Sequence, residues 1–283
     1  MGLGAASSTE GTTFSLIYID QAVGFSDYTF KTFLISSVDD LEAYGEETVV
    51  YGYQKEAEAL IISPGYHFTP NLDLSLSLNY MDHKYRQLKL YGSVPTDYWA
   101  WSLGASLNYH QSDYKLFYND GLAARINWRG QVSRSDELDT VSSLKVRLAW
   151  DKLLFAKHAL QLGLRGEYQN KAASGDVSMF GRGKGYRGIE PNGLWTSRIT
   201  AVSADYQIPV GKWGHGIITV APFIDYGNYK SFFTDSEEDY LAYGLGAYYF
   251  FNFINLPGLG LTIGKNDDFI GGYIAIQIGG RFN

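Results

Sequence analysis

The sequence contains no cysteine, so neither disulfides nor thiolate metal sites contribute to its fold. Proline is scarce, at 7 of 283 residues, which leaves extended ladders largely uninterrupted. No stretch approaches the ~18 to 20 uninterrupted apolar residues of a transmembrane helix. The richest, Tyr248 to Leu261, is broken by Asn252, Asn255 and Pro257-Gly258. Helical insertion is excluded on this ground; membrane residence is not. Basic tracts are also missing and the net charge is −7, which argues against nucleic acid as a partner. No Gly-x-Ser-x-Gly elbow, His-Glu-x-x-His pair or phosphate-binding loop occurs. No signal peptide is visible at Met1-Gly2-Leu3-Gly4, and a mature exported form with a replaced start is expected.

What is present is tyrosine, 23 residues against 16 Phe and 6 Trp, the aromatic that gathers where lipid meets water. Glycine is plentiful too, as in a β protein with many bends. The clearest pattern is strict alternation. Leu72, Leu74, Leu76, Leu78 and Tyr80 share one face of a strand, and Asp73, Ser75, Ser77 and Asn79 the other. Trp99, Trp101, Leu103, Ala105, Leu107 and Tyr109 repeat this against Ser102, Gly104, Ser106 and Asn108. The stripes at 144–150, 160–168 and 274–282 follow the same rule. A soluble sandwich or lipocalin-like barrel also alternates, but its strands average ~5 to 6 residues. Here segments long enough to cross a bilayer on a tilt recur, and aromatics (Tyr80, Trp99, Tyr109, Trp150, Tyr168) stand at the ends of the stripes as girdles do. The fold class expected is all-β: a transmembrane antiparallel β-barrel of about 12 strands, with 12–16 open, in the bacterial outer membrane.

Short turns are expected near 69–71, 110–114, 152–157, 211–216 and 255–258, and long outer loops near 37–49, 86–96, 130–140, 171–195 and 229–238. Two loops are acidic, Asp39-Asp40 with Glu42, Glu46 and Glu47, and Asp235 to Asp239. They are read as solvated surface or as ligands for divalent cations that bridge lipopolysaccharide. Twelve spans can be placed from 27–37 to 271–282. The apolar piece Phe14 to Ile19 would make a thirteenth against the even-number tendency, and its alternation is poor. Residues 1–12 are expected as an N-terminal extension and 13–283 as the barrel.

Two motifs carry a resemblance. The long loop reads Met179-Phe180-Gly181-Arg182-Gly183-Lys184-Gly185-Tyr186-Arg187-Gly188-Ile189-Glu190, and a later strand reads Phe223-Ile224-Asp225-Tyr226-Gly227. Together, in this order, they resemble the BamA-type outer-membrane assembly and translocation superfamily, which includes the two-partner secretion transporters. Arg187 and Gly188 match the family's loop motif, with Tyr186 for its Val and Ile189 for its final aromatic. The glycines are interleaved as Gly181, Gly183 and Gly185. The Phe-x-Asp-x-Gly motif is matched at Phe223, Asp225 and Gly227, and Asp205-Tyr206 stands for the acidic-aromatic pair of the intervening strand. The C-terminal half carries the motifs; the N-terminal half agrees by pattern. The resemblance implies that loop 171–195 folds into the lumen as a plug, that Arg187 anchors it, and that the protein inserts or transports polypeptide (or lipid). Family members usually carry periplasmic POTRA domains and sixteen strands, so a reduced, barrel-only member or a fragment is expected.

The residues support the anchor separately. If Val220, Pro222, Ile224 and Tyr226 face lipid, Asp225 faces the lumen; by the same test Asp205 does. Two lumen carboxylates on neighbouring strands need a cation, and a guanidinium binds carboxylates bidentately. Arg187 is one donor; Lys145, Arg147 and Arg165 on the wall are the alternatives. In the closing strand Gly272, Gly279 and Gly280 would weaken packing before Phe282, consistent with a seam. No cofactor, metal or enzymatic activity is expected, and among the five histidines only His83, beside the loop acids, qualifies for a catalytic site. Expected partners are outer-membrane lipid and lipopolysaccharide, a polypeptide client, and a second copy or an associated periplasmic chain. A passive solute pore and a dimerising structural barrel are the rival readings.

Overall fold

The computed structural model is all-β. It describes residues 2–8, 11–21, 23, 26–45, 48–87, 95–115, 117–136, 139–155, 157–170, 178–180, 187, 189, 194–231, 235–251, 258–266 and 271–278. Among the described residues fifteen strands make one sheet. The first five are β1 (Gly2–Ser8), β2 (Gly11–Asp20), β3 (Tyr28–Gly45), β4 (Thr48–Thr69) and β5 (Leu72–Gln87). Next come β6 (Tyr98–Lys115), β7 (Tyr118–Arg134), β8 (Ser142–Leu154), β9 (His158–Gln169) and the short β10 (Ser178–Phe180). The last are β11 (Leu194–Trp213), β12 (Gly216–Ser231), β13 (Glu237–Phe251), β14 (Leu259–Asn266) and β15 (Gly271–Ile278). Each strand pairs with its sequence neighbours, except that β10 branches onto β11 and β9 pairs with β11 directly. This is the meander expected of an up-and-down barrel. Among the described residues no ladder joins β1 to β15. By contacts the chain forms two compact units, one of residues 1–109, 125–145 and 168–178, the other of 110–124, 146–167 and 179–283.

In the first unit the alternation becomes an inverted surface. Leu76, Leu78, Trp99, Trp101, Leu103 and Leu107 are exposed, while Asn79, His83 and Ser102 are buried. A soluble protein buries the first set and exposes the second, so the exposed face suits lipid and the inner face is polar. The Tyr80 and Trp101 rings meet at one end of the apolar band, 5.0 Å apart, and Tyr28, Tyr66 and Phe68 meet at the other. In the second unit Val202, Ile224, Tyr226, Leu245, Leu261, Ile263 and Ile276 are exposed, and Asp151, Glu167, Asp205, Gln207 and Asp225 are buried.

Four pairs on the inner face of β12–β15 set a large ring directly opposite a glycine: Tyr240 over Gly227, Phe223 over Gly244, Tyr248 over Gly260 and Tyr273 over Gly264. A Cβ at Gly264 would come within 2.8 Å of the Tyr273 ring, and one at Gly244 within 2.9 Å of Phe223 Cζ. At Gly227, Gly260 and Gly264 glycine is required by the close approach of the ring, and at Gly244 first by the backbone of Ile263 and Gly264 on β14.

Several expectations are corrected. Phe14 to Ile19 lies within β2, which pairs with β1 and β3 in full register. Residues 2–8 of the expected extension are β1. The poor alternation there has a cause: Ile17, Phe33 and Ile61 stand opposite one another on three adjacent strands, on the face turned away from the exposed Phe14, Tyr18 and Leu34. That stretch is apolar on both faces, so a period of two is not visible in it. The expected loop at 37–49 is a continuation of β3 and β4, which remain paired to Gly45 and Thr48 with one register shift between Ala43 and Tyr44. Its acids Asp39, Asp40 and Glu42 therefore belong to a strand, and Asp40 accepts a 2.9 Å hydrogen bond from Gln54 Nε2. Backbone pairing needs no apolar face, so a ladder can continue through a segment that carries acids. Strands also run through parts of the expected connections at 110–114, 130–140, 211–216 and 229–238. Glu46, Glu47, Gly279, Gly280 and Phe282 lie outside the described residues. Gly272 lies in β15, opposite Lys265.

Candidate functional site

β11 and β12 run antiparallel with Asp205 opposite Phe223 and Ser203 opposite Asp225. Alternation turns Asp205, Phe223 and Asp225 to the inner face, since Ile224 and Tyr226 between them are exposed. Two carboxylates brought together in a dehydrated wall repel unless a cation is held between them. Arg187, from the loop that follows β10, is that cation. Its Nε donates to Asp225 Oδ2 at 2.6 Å, its Nη1 to Asp205 Oδ1 at 2.7 Å and its Nη2 to Asp205 Oδ2 at 3.1 Å. Nη2 also donates to Asp225 Oδ1. Both carboxylates are thus gripped bidentately, a geometry that the planar guanidinium fork allows and a lysine does not.

The ring of Phe223 completes the cradle, with Arg187 Cζ 3.9 Å from its centroid. Arg187 is only 2% exposed, Asp205 5% and Asp225 3%. Burial opposes the charge of Arg187, but the two carboxylates and their hydrogen bonds outweigh it and hold the guanidinium above its ordinary range. Among the described residues the loop arginine pairs with both wall carboxylates, and Arg165 also acts on Asp225.

The backbone of the loop is held as well. Asn266 Nδ2, buried at the end of β14, donates to the Arg187 carbonyl at 3.3 Å. Ile189 is fully buried in a cluster with Ile199, Ala201, Tyr229 and Tyr240. Gly227 gives the Tyr240 ring its place in that cluster, because a Cβ there would collide with the ring. The three residues of Phe223-x-Asp225-x-Gly227 therefore contribute differently. The ring stacks on the guanidinium, the carboxylate accepts its hydrogen bonds, and the glycine admits the ring that packs on Ile189.

Of the residues expected at the site, Arg187, Asp205, Phe223, Asp225 and Gly227 are brought together. Gly181, Gly183, Gly185, Tyr186 and Gly188 lie outside the described residues. Asn266, Tyr240 and Gly244 were not foreseen. Tyr240 and Gly244 could be found only by pairing β12 with β13 in the right register, and Asn266 carries no motif at all. His83 is buried, its ring 4.9 Å from that of Tyr98, with Nδ1 lacking a hydrogen-bond partner among the described residues. The acids at 235–239 are engaged locally: Asp235 with Lys230, Glu237 with Arg198, Glu238 with Tyr229 and Asp239 with Asn228.

No family model matches the chain, and no curated protein does. Solved structures share its fold. It aligns with BamA from Haemophilus ducreyi lacking POTRA domains 1–3 at a TM-score of 0.77 and 13% identity, over 98% of this chain and 63% of that one. CdiB from Escherichia coli aligns at 0.66 and 8% identity, over 95% of this chain and 53% of that one. CdiB from Acinetobacter baumannii aligns at 0.59 and 15% identity, over 94% of this chain and 49% of that one. The chain spans less than two thirds of the length of each. At these identities the likeness concerns the fold: this chain is built as a β-barrel of the BamA and CdiB kind.

Proposed function

We propose that this chain is a bacterial outer-membrane barrel that inserts polypeptide into the membrane or passes it across, with the segment that carries Arg187 held at the inner wall. The observation that carries this reading is the buried clamp of Arg187 on Asp205, Asp225 and Phe223. A loop end fixed to the inner wall by a paired charge occupies space that a solute or a chain would need. The fold likeness to BamA and CdiB supports the reading, and so does the exposed apolar face, which requires lipid. The work proposed is movement and insertion rather than covalent chemistry, with a polypeptide as client, outer-membrane lipid as surroundings, and a separate periplasmic chain as the natural carrier of clients.

Planar-bilayer recording tests it. The wild type is expected to give small or flickering conductance, and Arg187→Ala to give larger, longer openings. Steady large conductance in the wild type, unchanged in the variant, would rule out the plug. That outcome would favour a passive solute pore, a reading supported by the polar inner face at Asn79, Ser102, Glu167 and Gln169. Insertion of an unfolded small outer-membrane barrel into liposomes bearing this chain tests the client class.

A further inference from the structure

We infer that the β7–β8 connection is a second inward latch, fastened by Arg134 in the first unit independently of Arg187 in the second. The inference rests on the lumen reading above. Ile126, Trp128 and Val132 of β7 are exposed to the lipid side, yet Arg134 at the strand's end turns inward. Its guanidinium lies 4.3 Å from the ring centroid of Tyr98, which is buried beside the exposed Trp99 at the start of β6. Nε and Nη2 form a two-point bond with Asp136. Nη1 donates to Gln131 Oε1 at 3.2 Å and to the Asp139 carbonyl at 3.3 Å. The side chains of Arg134 and Asp136 are 3% and 5% exposed.

The connection is also tied by its backbone. Ser135 N donates to the Trp99 carbonyl at 3.0 Å, Trp99 N donates to Ser135 Oγ at 2.9 Å, and Val141 N donates to Gln131 Oε1 at 3.0 Å. The chemistry repeats that of Arg187, with a guanidinium forked onto a carboxylate and stacked on an inward ring. Burial of the pair matters, because an exposed ion pair of two residues so close in sequence contributes little and holds nothing. A dehydrated pair is held, because opening it strands a charge. Behind the latch the Tyr98, His83 and Tyr85 rings form a buried row that its release uncovers.

Limited proteolysis with an endoproteinase that cuts after Glu and Asp distinguishes the two latches in the full chain in liposomes. Asp136, Glu137 and Asp139 mark the β7–β8 connection, and Glu190 marks the plug loop. Arg134→Ala is expected to speed cutting at 136–139 by roughly tenfold or more, since cleavage follows local opening. Cutting at Glu190 should not change, and single-channel conductance should rise. Arg187→Ala should do the reverse at the two sites. Asp136→Asn reads the same latch should Arg134→Ala fail to fold, and Arg134→Lys, which keeps charge but not the fork, should fall between. Protection at 136–139 unaltered in both Arg134→Ala and Asp136→Asn would overturn the latch, as would release of both sites by Arg187→Ala alone. Unaltered Glu190 protection and conductance in Arg187→Ala, with 136–139 still released by Arg134→Ala, would instead remove the plug reading and leave this latch standing.

Discussion

At the residue scale, Arg187, Asp205 and Asp225 behave as a unit whose members cannot be removed singly. Arg187→Ala leaves two dehydrated carboxylates facing each other, and breaking a buried pair in this way costs about 3–5 kcal/mol. Urea unfolding in detergent should show that loss. A fully neutral triad, Arg187→Met with Asp205→Asn and Asp225→Asn, should be more stable than Arg187→Ala alone, since no charge is stranded. If the triple variant unfolds earlier than the single one, the loss lies in packing and not in unpaired charge. Gly227→Ala should destabilise by about 1–3 kcal/mol through overpacking against Tyr240. On a Tyr240→Ala background, itself destabilised by the lost ring, Gly227→Ala should add little further cost, and a double-mutant cycle reads the coupling. The carboxylates and the arginine were legible in the sequence because alternation assigns each a face and charge demands a partner. Asn266 was not, because an amide that donates to one backbone carbonyl has no spacing by which to find it.

At the scale of the strand, depth in the bilayer decides what a face tolerates. Ile224 lies in the middle of β12 and is exposed, so on the proposed membrane reading Ile224→Lys should cost about 2–4 kcal/mol. Val38 lies toward the far end of the outer face of β3, opposite Glu56, so Val38→Lys should cost only about 0–1 kcal/mol. Equal losses at both positions, measured by folding into vesicles, would contradict a lipid band on these strands. Strands with one apolar and one polar face, such as β5 and β6, were found in the sequence close to their observed bounds. β2 and the upper parts of β3 and β4 were not. The former is apolar on both faces and the latter mixes acids with Leu, Ala, Val and Tyr, so a period of two is not visible in either.

At the scale of the whole molecule, Trp99, Trp101, Trp128 and Trp150 all lie on exposed faces among apolar neighbours. Their fluorescence should be quenched by lipids carrying bromine on the acyl chains and left largely unchanged by a water-soluble quencher. The opposite preference would place these faces in water and remove the membrane reading. The class of fold was readable from composition and periodicity, because the bilayer requires alternation all along a barrel. Strand number was harder, since it depends on the segments where the pattern fades.

The rings seated on Gly227, Gly244, Gly260 and Gly264 also single out one register of the strands that carry them. If β13 or β14 paired one residue out of step, each ring would meet a side chain instead of bare backbone, and the mispaired ladder could not close up. Four such keys on consecutive strands tie the C-terminal hairpins to a single alignment.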